Sequence, residues 1–166
     1  MSQLQRKFEE IYDKYVEKIY RFVYLKVNSQ EIAEDLCSEI FTRGWESFKQ
    51  NKCDIKNIQA FLYQIARNLI VDHYREKAKV RLVSVEMAPV IADNGIGLEE
   101  QTMLKSDFSM VQSALAGLKD EYREAITLYY LNELSVPEMA KILGKSEEAV
   151  RVQIHRALEA LRGVIK

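Results

Sequence analysis

The segment Ser135–Lys166 constrains the fold most, because its turn-forming residues divide it into two short helices. Ser135 can cap the first helix, and Glu138 stands three residues later, where a capping box needs a glutamate. Gly144 can end that helix, since glycine enters the left-handed conformation without strain. Ser146 is placed to cap the second helix two residues further on. The segment therefore predicts a helix-turn-helix hairpin.

The second helix of this hairpin carries an apolar stripe and a basic face. The stripe repeats at helical spacing and must face a core: Val150, Ile154, Ala157, Leu158 and Leu161. Val152, His155 and Arg156 fall on other faces, and Arg151 lies at the flank. This pattern favours a recognition helix in a DNA major groove, with Arg151 and Arg156 directed at phosphates or guanine edges. A helical hairpin with a solvated basic face is the alternative.

Composition limits the classes of protein to consider. The chain has 166 residues, of which 48% are hydrophobic, enough for one or two small cores. No apolar run is long enough to span a bilayer, and the first residues lack the apolar centre of a signal peptide. We therefore expect a cytoplasmic protein with no membrane insertion of its own. Cys37, Cys53, His73 and His155 stand far apart, so their spacing predicts reduced thiols and no metal site.

Charge is distributed unevenly along the chain, although the formal net charge is −1. Basic residues concentrate in residues 63–81 and 149–166, whereas residues 82–103 contain acidic residues and no lysine or arginine. The chain is therefore predicted to carry two basic helices separated by an acidic connector. A solvated helix face is the simpler explanation for either basic cluster taken alone.

The first half of the chain predicts three amphipathic helices. An aromatic stripe marks the first helix, over about residues 5–27, and a second helix follows it as far as Phe48. Residues 49–57 are polar, lysine-rich and without helical periodicity, which indicates a loop. Asn57 can cap a third helix, whose buried stripe is predicted to be Ile58, Phe61, Leu62, Ile65, Ala66 and Leu69.

The opposite side of this third helix combines cations with aromatic rings. Polar residues recur at three- and four-residue steps and are flanked by rings and a further cation: Asn68, Asp72, Arg75 and Lys79, with Tyr63, Arg67 and Tyr74. Such a surface suits single-stranded nucleic acid, because phosphates pair with the cations while unstacked bases lie on the rings. A surface helix with intrahelical pairs, such as Asp72 with Arg75, is the competing interpretation.

Helical periodicity fades between residues 82 and 103, where Pro89 and the Asp93-Asn94-Gly95 turn stand. Two further apolar stripes follow and lead into the hairpin, and no strand pattern occurs in the sequence. We therefore predict an all-α fold of two small helical domains, residues 1–81 and 104–166, joined by a flexible linker over residues 82–103.

Motifs of catalysis are missing from the sequence. It contains no glycine-rich phosphate loop, no HExxH and no GxSxG. Its carboxylates stand on helix faces, where solvation explains them. We therefore expect a protein that is not an enzyme, with no catalytic residue, no cofactor and no metal.

Read together, the two halves resemble the bacterial RNA polymerase sigma factors of the extracytoplasmic-function group, which keep regions 2 and 4 of the sigma-70 family. Residues 33–45, AEDLCSEIFTRGW, resemble the family's DxxQExF segment. Residues 61–77, FLYQIARNLIVDHYREK, resemble its WLxxIAxNxxxDxxRxx helix. Residues 118–162, which include the hairpin, resemble region 4 almost position by position. The resemblance covers nearly the whole chain.

The resemblance implies two contacts with promoter DNA. Region 2 would capture a base flipped out of the minus-10 element, in a pocket formed by Asn68, Ile65, Phe48 and the loop 49–57, without ATP or a catalytic residue. Its full set of DNA contacts would be Phe48, Phe61, Tyr63, Ile65, Arg67, Asn68, Tyr74, Arg75 and Lys79. Region 4 would read the minus-35 duplex through Ser146, Arg151, Gln153, His155 and Arg156.

The resemblance also implies protein partners. Asp35, Glu39 and Phe41 would dock on the clamp helices of the largest subunit of core RNA polymerase, and region 4 would contact the polymerase flap. The acidic linker would run through the core enzyme toward the RNA exit path. Members of the family are usually held inactive by an anti-sigma factor.

Three positions depart from the family pattern. Phe61 stands where tryptophan is common, Gln153 where a basic residue is common, and Ser38 where glutamine is usual. Two other functions agree with parts of the sequence. A stand-alone helix-turn-helix regulator would use its first domain for sensing or dimerisation, and a helical adaptor would bind proteins alone. A lysine-rich loop beside a basic aromatic helix favours the sigma factor over the regulator, and the paired basic helices favour it over the adaptor.

Overall fold

The structure is a computed structural model that describes residues 2–52, 54–83 and 103–165. Within these ranges all regular structure is helical, which confirms the all-α prediction. The α-helices are α1 (Gln3–Val27), α2 (Gln30–Lys49), α3 (Ile58–Val83), α4 (Met103–Ala116), α5 (Asp120–Ile126), α6 (Val136–Leu143) and α7 (Glu147–Ile165). A 3-10 turn (Ile55–Asn57) precedes α3, and a π-helical segment (Thr127–Leu131) follows α5.

The predicted linker lies almost entirely outside the described residues, since residues 84–102 are not among them. α3 ends at Val83 and α4 begins at Met103, close to the limits predicted from the loss of periodicity. Of the helices in the described ranges, none combines the length and apolar character needed to cross a membrane.

Side-chain caps determine where α1 and α2 begin. α1 starts two residues earlier than its aromatic stripe predicts, because the Ser2 hydroxyl accepts a bond from the Gln5 amide at 3.1 Å. The Gln5 side chain accepts from the Ser2 amide at 2.9 Å and completes a capping box. Asn28, with a left-handed φ of 54°, ends α1, and the Ser29 hydroxyl caps α2. This short connection makes α1 and α2 antiparallel neighbours.

α1, α2 and α3 enclose the core of the first half. Phe22, Ile40 and Leu62 are fully buried at their contacts. Gly44 of α2 is also buried, and a Cβ added there would lie 2.8 Å from Leu62 Cδ2. Glycine at this position therefore lets α2 approach α3 closely.

The predicted helix-turn-helix hairpin is confirmed in its local details. The Ser135 hydroxyl accepts from the Glu138 amide at 3.2 Å, and the Glu138 carboxylate accepts from the Ser135 amide at 2.8 Å. Gly144 has φ 67° and ends α6. The Ser146 hydroxyl then accepts from the Ala149 amide at 3.1 Å at the start of α7. These caps orient α7 so that its apolar stripe closes the second core.

The second half packs on α1 and α3, and Asn132 lies at the centre of this contact. Its side chain is fully buried. Arg21 Nη1 donates to Asn132 Oδ1 at 2.7 Å and to the Leu131 carbonyl at 3.2 Å. Asn132 Nδ2 donates to the Lys18 carbonyl at 3.0 Å and to the Tyr63 hydroxyl at 2.9 Å. We call this packing of the second half on α1 and α3 the closed arrangement.

Candidate nucleic-acid interface

α3 presents the polar face that its sequence predicts. Asn68, Arg75 and Lys79 are exposed, and Phe61 and Ile65 are half-buried beside the core. Arg75 Nη1 lies 4.0 Å from Asp72 Oδ1, a distance typical of a weak surface pair. An exposed amide beside partly exposed apolar side chains offers a nucleobase both hydrogen bonds and a nonpolar wall.

A groove of about 510 Å³ runs along this face between α3 and α5. Asn68, Arg75 and Tyr74 line it from α3, and Asp120 and Glu124 line it from α5. Tyr74 is 42% exposed, and its hydroxyl donates to the Lys26 carbonyl oxygen. Tyr74 therefore lines the groove with its hydroxyl fixed.

Arg67 is held by a carboxylate of the second half. Arg67 Nε donates to Glu124 Oε2 at 2.8 Å, and Arg67 Nη2 donates to Glu124 Oε1 at 3.2 Å. Lys26 Nζ lies 3.3 Å from Glu124 Oε2 and 3.1 Å from Asp120 Oδ1. The buried Glu124 carboxylate is thus neutralised by two cations. In the closed arrangement the Arg67 guanidinium is therefore bound by Glu124.

Tyr63 lies in the core and not on the polar face of α3, where the sequence pattern predicts it. Its ring is fully buried and meets the Phe22 ring edge-on at a centroid distance of 5.4 Å. Its hydroxyl accepts from Asn132, and burial raises the pKa of that hydroxyl above its ordinary value. No base can stack on Tyr63 in the closed arrangement, because this side chain belongs to the core that joins the two halves.

Phe48 and Phe41 also lie deeper than their predicted roles suggest. Phe48 is 7% exposed and packs on Phe8, with ring centroids 5.7 Å apart, so it belongs to the core of the first half. Phe41 is 5% exposed and contacts the Tyr12 ring at 4.9 Å. Phe41 forms part of the floor of a groove between α1 and α2, and Trp45 lies on its wall.

The acidic part of the predicted docking surface is exposed on α2. Asp35 and Glu39 both face solvent, and Glu39 Oε2 accepts from Arg43 Nη2 at 2.7 Å. The Cys37 thiol lies in the adjacent groove, and burial raises its pKa to about 11. This thiol is therefore protonated and unreactive at neutral pH.

α7 exposes most of the residues predicted to read duplex DNA. Arg151, His155 and Arg156 are exposed, and Ser146 caps the helix. Arg151 Nη2 lies 3.4 Å from Glu147 Oε1, and His155 Nε2 lies 3.7 Å from Glu159 Oε2. Each pair joins exposed residues one helical turn apart. A phosphate can therefore take the place of either carboxylate at little cost in free energy.

Gln153 is the one residue of α7 predicted to read DNA that is buried instead of exposed. It is 6% exposed, and Gln153 Nε2 donates to the Glu121 carbonyl at 2.8 Å while Lys145 Nζ donates to Gln153 Oε1 at 2.8 Å. Its side chain ties α7 to α5 and has no free group for a base edge. The DNA contact predicted for Gln153 stays a prediction, and in this arrangement its amide is engaged within the protein.

Sequence reasoning did not find Asn132, Glu124 or Lys26. All three are buried polar residues whose partners lie far away in the chain, so helical periodicity gives no signal for them. Lys26 does stand in the last turn of α1, next to apolar residues, where a lysine without a partner is costly. Among the described residues, no group of His, Cys, Asp and Glu could hold a metal ion.

Two family descriptions match the chain. The description "Sigma-70 region 2" matches residues 11–80, and "Sigma-70, region 4" matches residues 108–161. The first match contains α2 and the candidate residues of α3, and the second contains the hairpin. The two matched regions therefore correspond to the two halves that pack together in the closed arrangement.

Solved structures show the same fold. The sigma factor RpoE, in complex with the anti-sigma factor NepR from Bartonella quintana, has a TM-score of 0.74 and 21% identity, covering 96% of this chain and 97% of that chain. CnrH, in complex with the cytosolic domain of CnrY, has a TM-score of 0.71 and 21% identity, covering 97% of this chain and 88% of that chain.

Sequence relatives are similar over most of the chain. The ECF RNA polymerase sigma factors SigM and SigW of Bacillus subtilis (strain 168) are 30% and 32% identical, covering 94% and 95% of this chain and 93% and 88% of each relative. BldN of Streptomyces coelicolor is 32% identical, and the chain spans 58% of the length of BldN. The chain belongs to the family of ECF RNA polymerase sigma factors.

Proposed function

We propose that this chain binds core RNA polymerase in the cytoplasm and directs initiation of transcription at specific promoters. One observation carries the proposal: two separate helices, α3 and α7, each expose cationic side chains, and each lies in one of the two matched sigma regions. Two basic surfaces in one chain can hold two elements of the same DNA. This role requires binding energy and geometry, and no catalytic residue.

α3 is proposed to capture a base of the minus-10 element. Asn68 offers a donor and an acceptor to a base edge. Phe61 and Ile65 supply apolar contact beside it, and Arg75 and Lys79 lie on the same helix to hold the strand's phosphates. Binding of the flipped base offsets the few kcal/mol lost when it leaves the stack. Strand opening would then be driven by binding alone.

α7 is proposed to read the minus-35 duplex from the major groove. The capped hairpin fixes its orientation, and Arg151, His155 and Arg156 stand on its exposed face. Arginine suits both phosphate and guanine contacts because its planar guanidinium donates two parallel hydrogen bonds. Gln153, which is buried, would support this helix against α5 without touching DNA.

Opening of the closed arrangement is part of the proposal. Arg67 is bound by Glu124 and Tyr63 by Asn132, so contact of this part of α3 with DNA requires the two halves to separate. We propose that docking of the exposed Asp35 and Glu39 on the clamp helices, and of the second half on the flap, holds them apart. An anti-sigma factor, like the NepR bound to the similar fold of RpoE, would favour the closed arrangement instead.

Reconstitution with core RNA polymerase tests the proposal. Adding the chain to core enzyme should yield transcripts from a subset of promoters, with strand opening detectable by permanganate. Asn68→Ala should abolish opening while binding to core, measured by gel filtration, is retained. Glu76→Ala changes an exposed residue two turns further along α3 and is the matched control. Tight, specific duplex binding without core, combined with no transcription in its presence, would instead identify a stand-alone regulator.

A further inference from the structure

Val152 is an apolar side chain on the outward face of α7. The buried Val150, Ile154 and Ala157 fix the inward face of this helix. At about 100° per residue, Val152 lies nearly opposite them. It is 44% exposed, so it adds little to the core. A single exposed valine is ordinary on most surfaces. Here, however, it occupies the centre of the face that the proposed function directs at DNA.

Val152 and Ala149 form a small apolar patch on α7 among polar and charged residues. Ala149 and Arg156, one turn to either side, join Val152 in lining a groove of about 520 Å³ between α5 and α7, whose other lining residues are Glu121, Tyr122, Lys145, Ser146 and Gln153. Arg156 and Arg151 are exposed on opposite flanks of Val152, where they can reach phosphates. The acidic neighbour Glu147 is already paired with Arg151.

His155 and Arg156 keep polar groups exposed one turn from Val152, whereas the polar side chain adjacent to it in the chain is engaged within the protein. Gln153, the next residue, is turned inward and bound to Lys145 and to the Glu121 carbonyl. Val152 and Ala149 can neither donate nor accept a hydrogen bond. The edges of the four base pairs in the major groove are polar except for one group, the C5-methyl of thymine. The apolar patch of Val152 and Ala149 on a reading helix is complementary to that group.

We propose that Val152, together with Ala149, recognises a thymine of the minus-35 duplex through its C5-methyl group. This inference rests on the proposed function and adds the chemistry of one base to it. Arg151 and Arg156 position the helix on the backbone, and Val152 supplies discrimination at the centre of the contact. Thymine is thereby distinguished from cytosine by a methyl contact instead of a hydrogen bond.

Replacement of thymine by uracil tests this contact, because uracil lacks only the methyl group. Holoenzyme made from the full chain and core RNA polymerase first selects its upstream duplex from a random-sequence library. Each thymine in the selected element is then replaced singly by uracil, and the affinity of the holoenzyme is measured. At one position uracil should weaken binding about fourfold, the factor that corresponds to about 0.8 kcal/mol for one buried methyl-sized group.

The Val152→Ala variant identifies the side chain responsible. It should bind the thymine duplex more weakly than the unaltered chain and lose the difference between thymine and uracil at that position. Val164→Ala, on the same helix and 43% exposed at its far end, is the matched control and should keep the difference. Since both valines are exposed, neither change should disturb folding.

Three results would overturn the inference. In the first, the holoenzyme selects a sequence, but replacing any single thymine by uracil does not weaken its binding. In the second, the Val152→Ala variant still shows the full loss of affinity when thymine is replaced by uracil. In the third, Val152→Ala weakens binding equally on every duplex, which would indicate that Val152 contacts the polymerase. All three leave the proposed function standing. Failure of the holoenzyme to select any sequence would overturn the proposed function together with the inference.

Discussion

Replacing Asn132 with alanine should weaken the closed arrangement. The Asn132 side chain is fully buried and bonds to Arg21, Lys18 and Tyr63. These partners lie in α1 and α3, whereas Asn132 follows the π-helical segment of the second half. Its removal therefore breaks contacts between the halves and leaves the helices themselves intact.

The size of the effect follows from what each partner loses. The Lys18 carbonyl lies within α1 and keeps its helical bond, so its loss is small. Arg21 keeps the Leu131 carbonyl but gives up a charged hydrogen bond of about 1.5 kcal/mol or more. The Tyr63 hydroxyl has Asn132 as its sole hydrogen-bond partner in the described ranges and becomes an unsatisfied buried group, at about 1–3 kcal/mol. We expect a total of about 3 kcal/mol, a factor of roughly 150 in an equilibrium constant.

Urea unfolding provides the assay. Far-UV circular dichroism follows helices in both halves, and Trp45, the single tryptophan, reports on α2. With a slope of about 1–3 kcal/mol per molar urea, the midpoint of Asn132→Ala should fall by about 1–3 M. The two signals should also separate, because the halves no longer unfold together.

Tyr63→Phe is the matched control, since it removes the hydroxyl alone and should cost about 1 kcal/mol. The double variant should be less destabilised than the sum of the two single variants, with a coupling of about 0.5 kcal/mol or more. A loss below about 0.5 kcal/mol for Asn132→Ala, or strict additivity of the two changes, would refute the role of Asn132 in joining the halves.

Two further predictions concern the core. Gly44→Ala should lower the free energy of unfolding by about 1 kcal/mol, because overpacking against the fully buried Leu62 outweighs the gain in helix propensity. Gly163→Ala is the control: its added methyl group meets open space in α7, so it should be neutral or stabilising in the same urea assay. Stabilisation by both changes would contradict this explanation. Burial raises the pKa of the Cys37 thiol to about 11 and raises that of Tyr63, so the folded chain keeps protons that the unfolded chain releases. Stability should be full below about pH 9 and fall as the pH rises toward 11, and Cys37→Ala should reduce that fall; urea midpoints that do not change between pH 8 and pH 10.5 would disprove the effect.

The hairpin could be predicted closely because its signals act within four residues. The hydroxyls of Ser135 and Ser146 reach amides three residues later, and the left-handed φ of Gly144 depends on that residue alone. Such local bonds form in the same way whatever the rest of the chain does. The sequence therefore contained all the information needed for this part of the fold.

The burial of Tyr63 and Gln153 could not be predicted in the same way. α3 packs on α1 and α2 with one side and on α6 with another, so its buried arc extends 100° beyond Leu62 to include Tyr63. Gln153 is buried because the Glu121 carbonyl on α5 accepts from its amide. A helical stripe shows which face is apolar, but it does not show how many neighbours cover that face.

The π-helical segment had no signal in the sequence pattern either. The Asn132 amide donates to the Thr127 carbonyl five residues earlier, at 2.8 Å, and this wider turn shifts the residues that follow. Asn132 is thereby brought to the contact with α1 and α3. An apolar period of 3.6 residues cannot place such a residue, because the insertion changes the period at that point.

The contacts of the closed arrangement differ in how they resist opening. Glu124 is buried between Lys26 and Arg67, and a buried ion pair gains little over its cost of desolvation. These charges therefore set the position of α5 against α3 more than they add stability. A DNA phosphate could replace the Glu124 carboxylate at Arg67 with similar hydrogen bonds, while Glu124 would regain its hydration.

The cost of opening then lies chiefly in the apolar contacts and in the Asn132 network, at about 3 kcal/mol for the latter. Specific protein–DNA complexes have binding free energies of about 11–15 kcal/mol, well above the share of the Asn132 network. In the proposed complex, promoter DNA and core polymerase would have to offset the loss of the apolar contacts as well. A partner that binds the closed arrangement more tightly by a few kcal/mol would shift the equilibrium toward it, and this is the effect proposed for an anti-sigma factor.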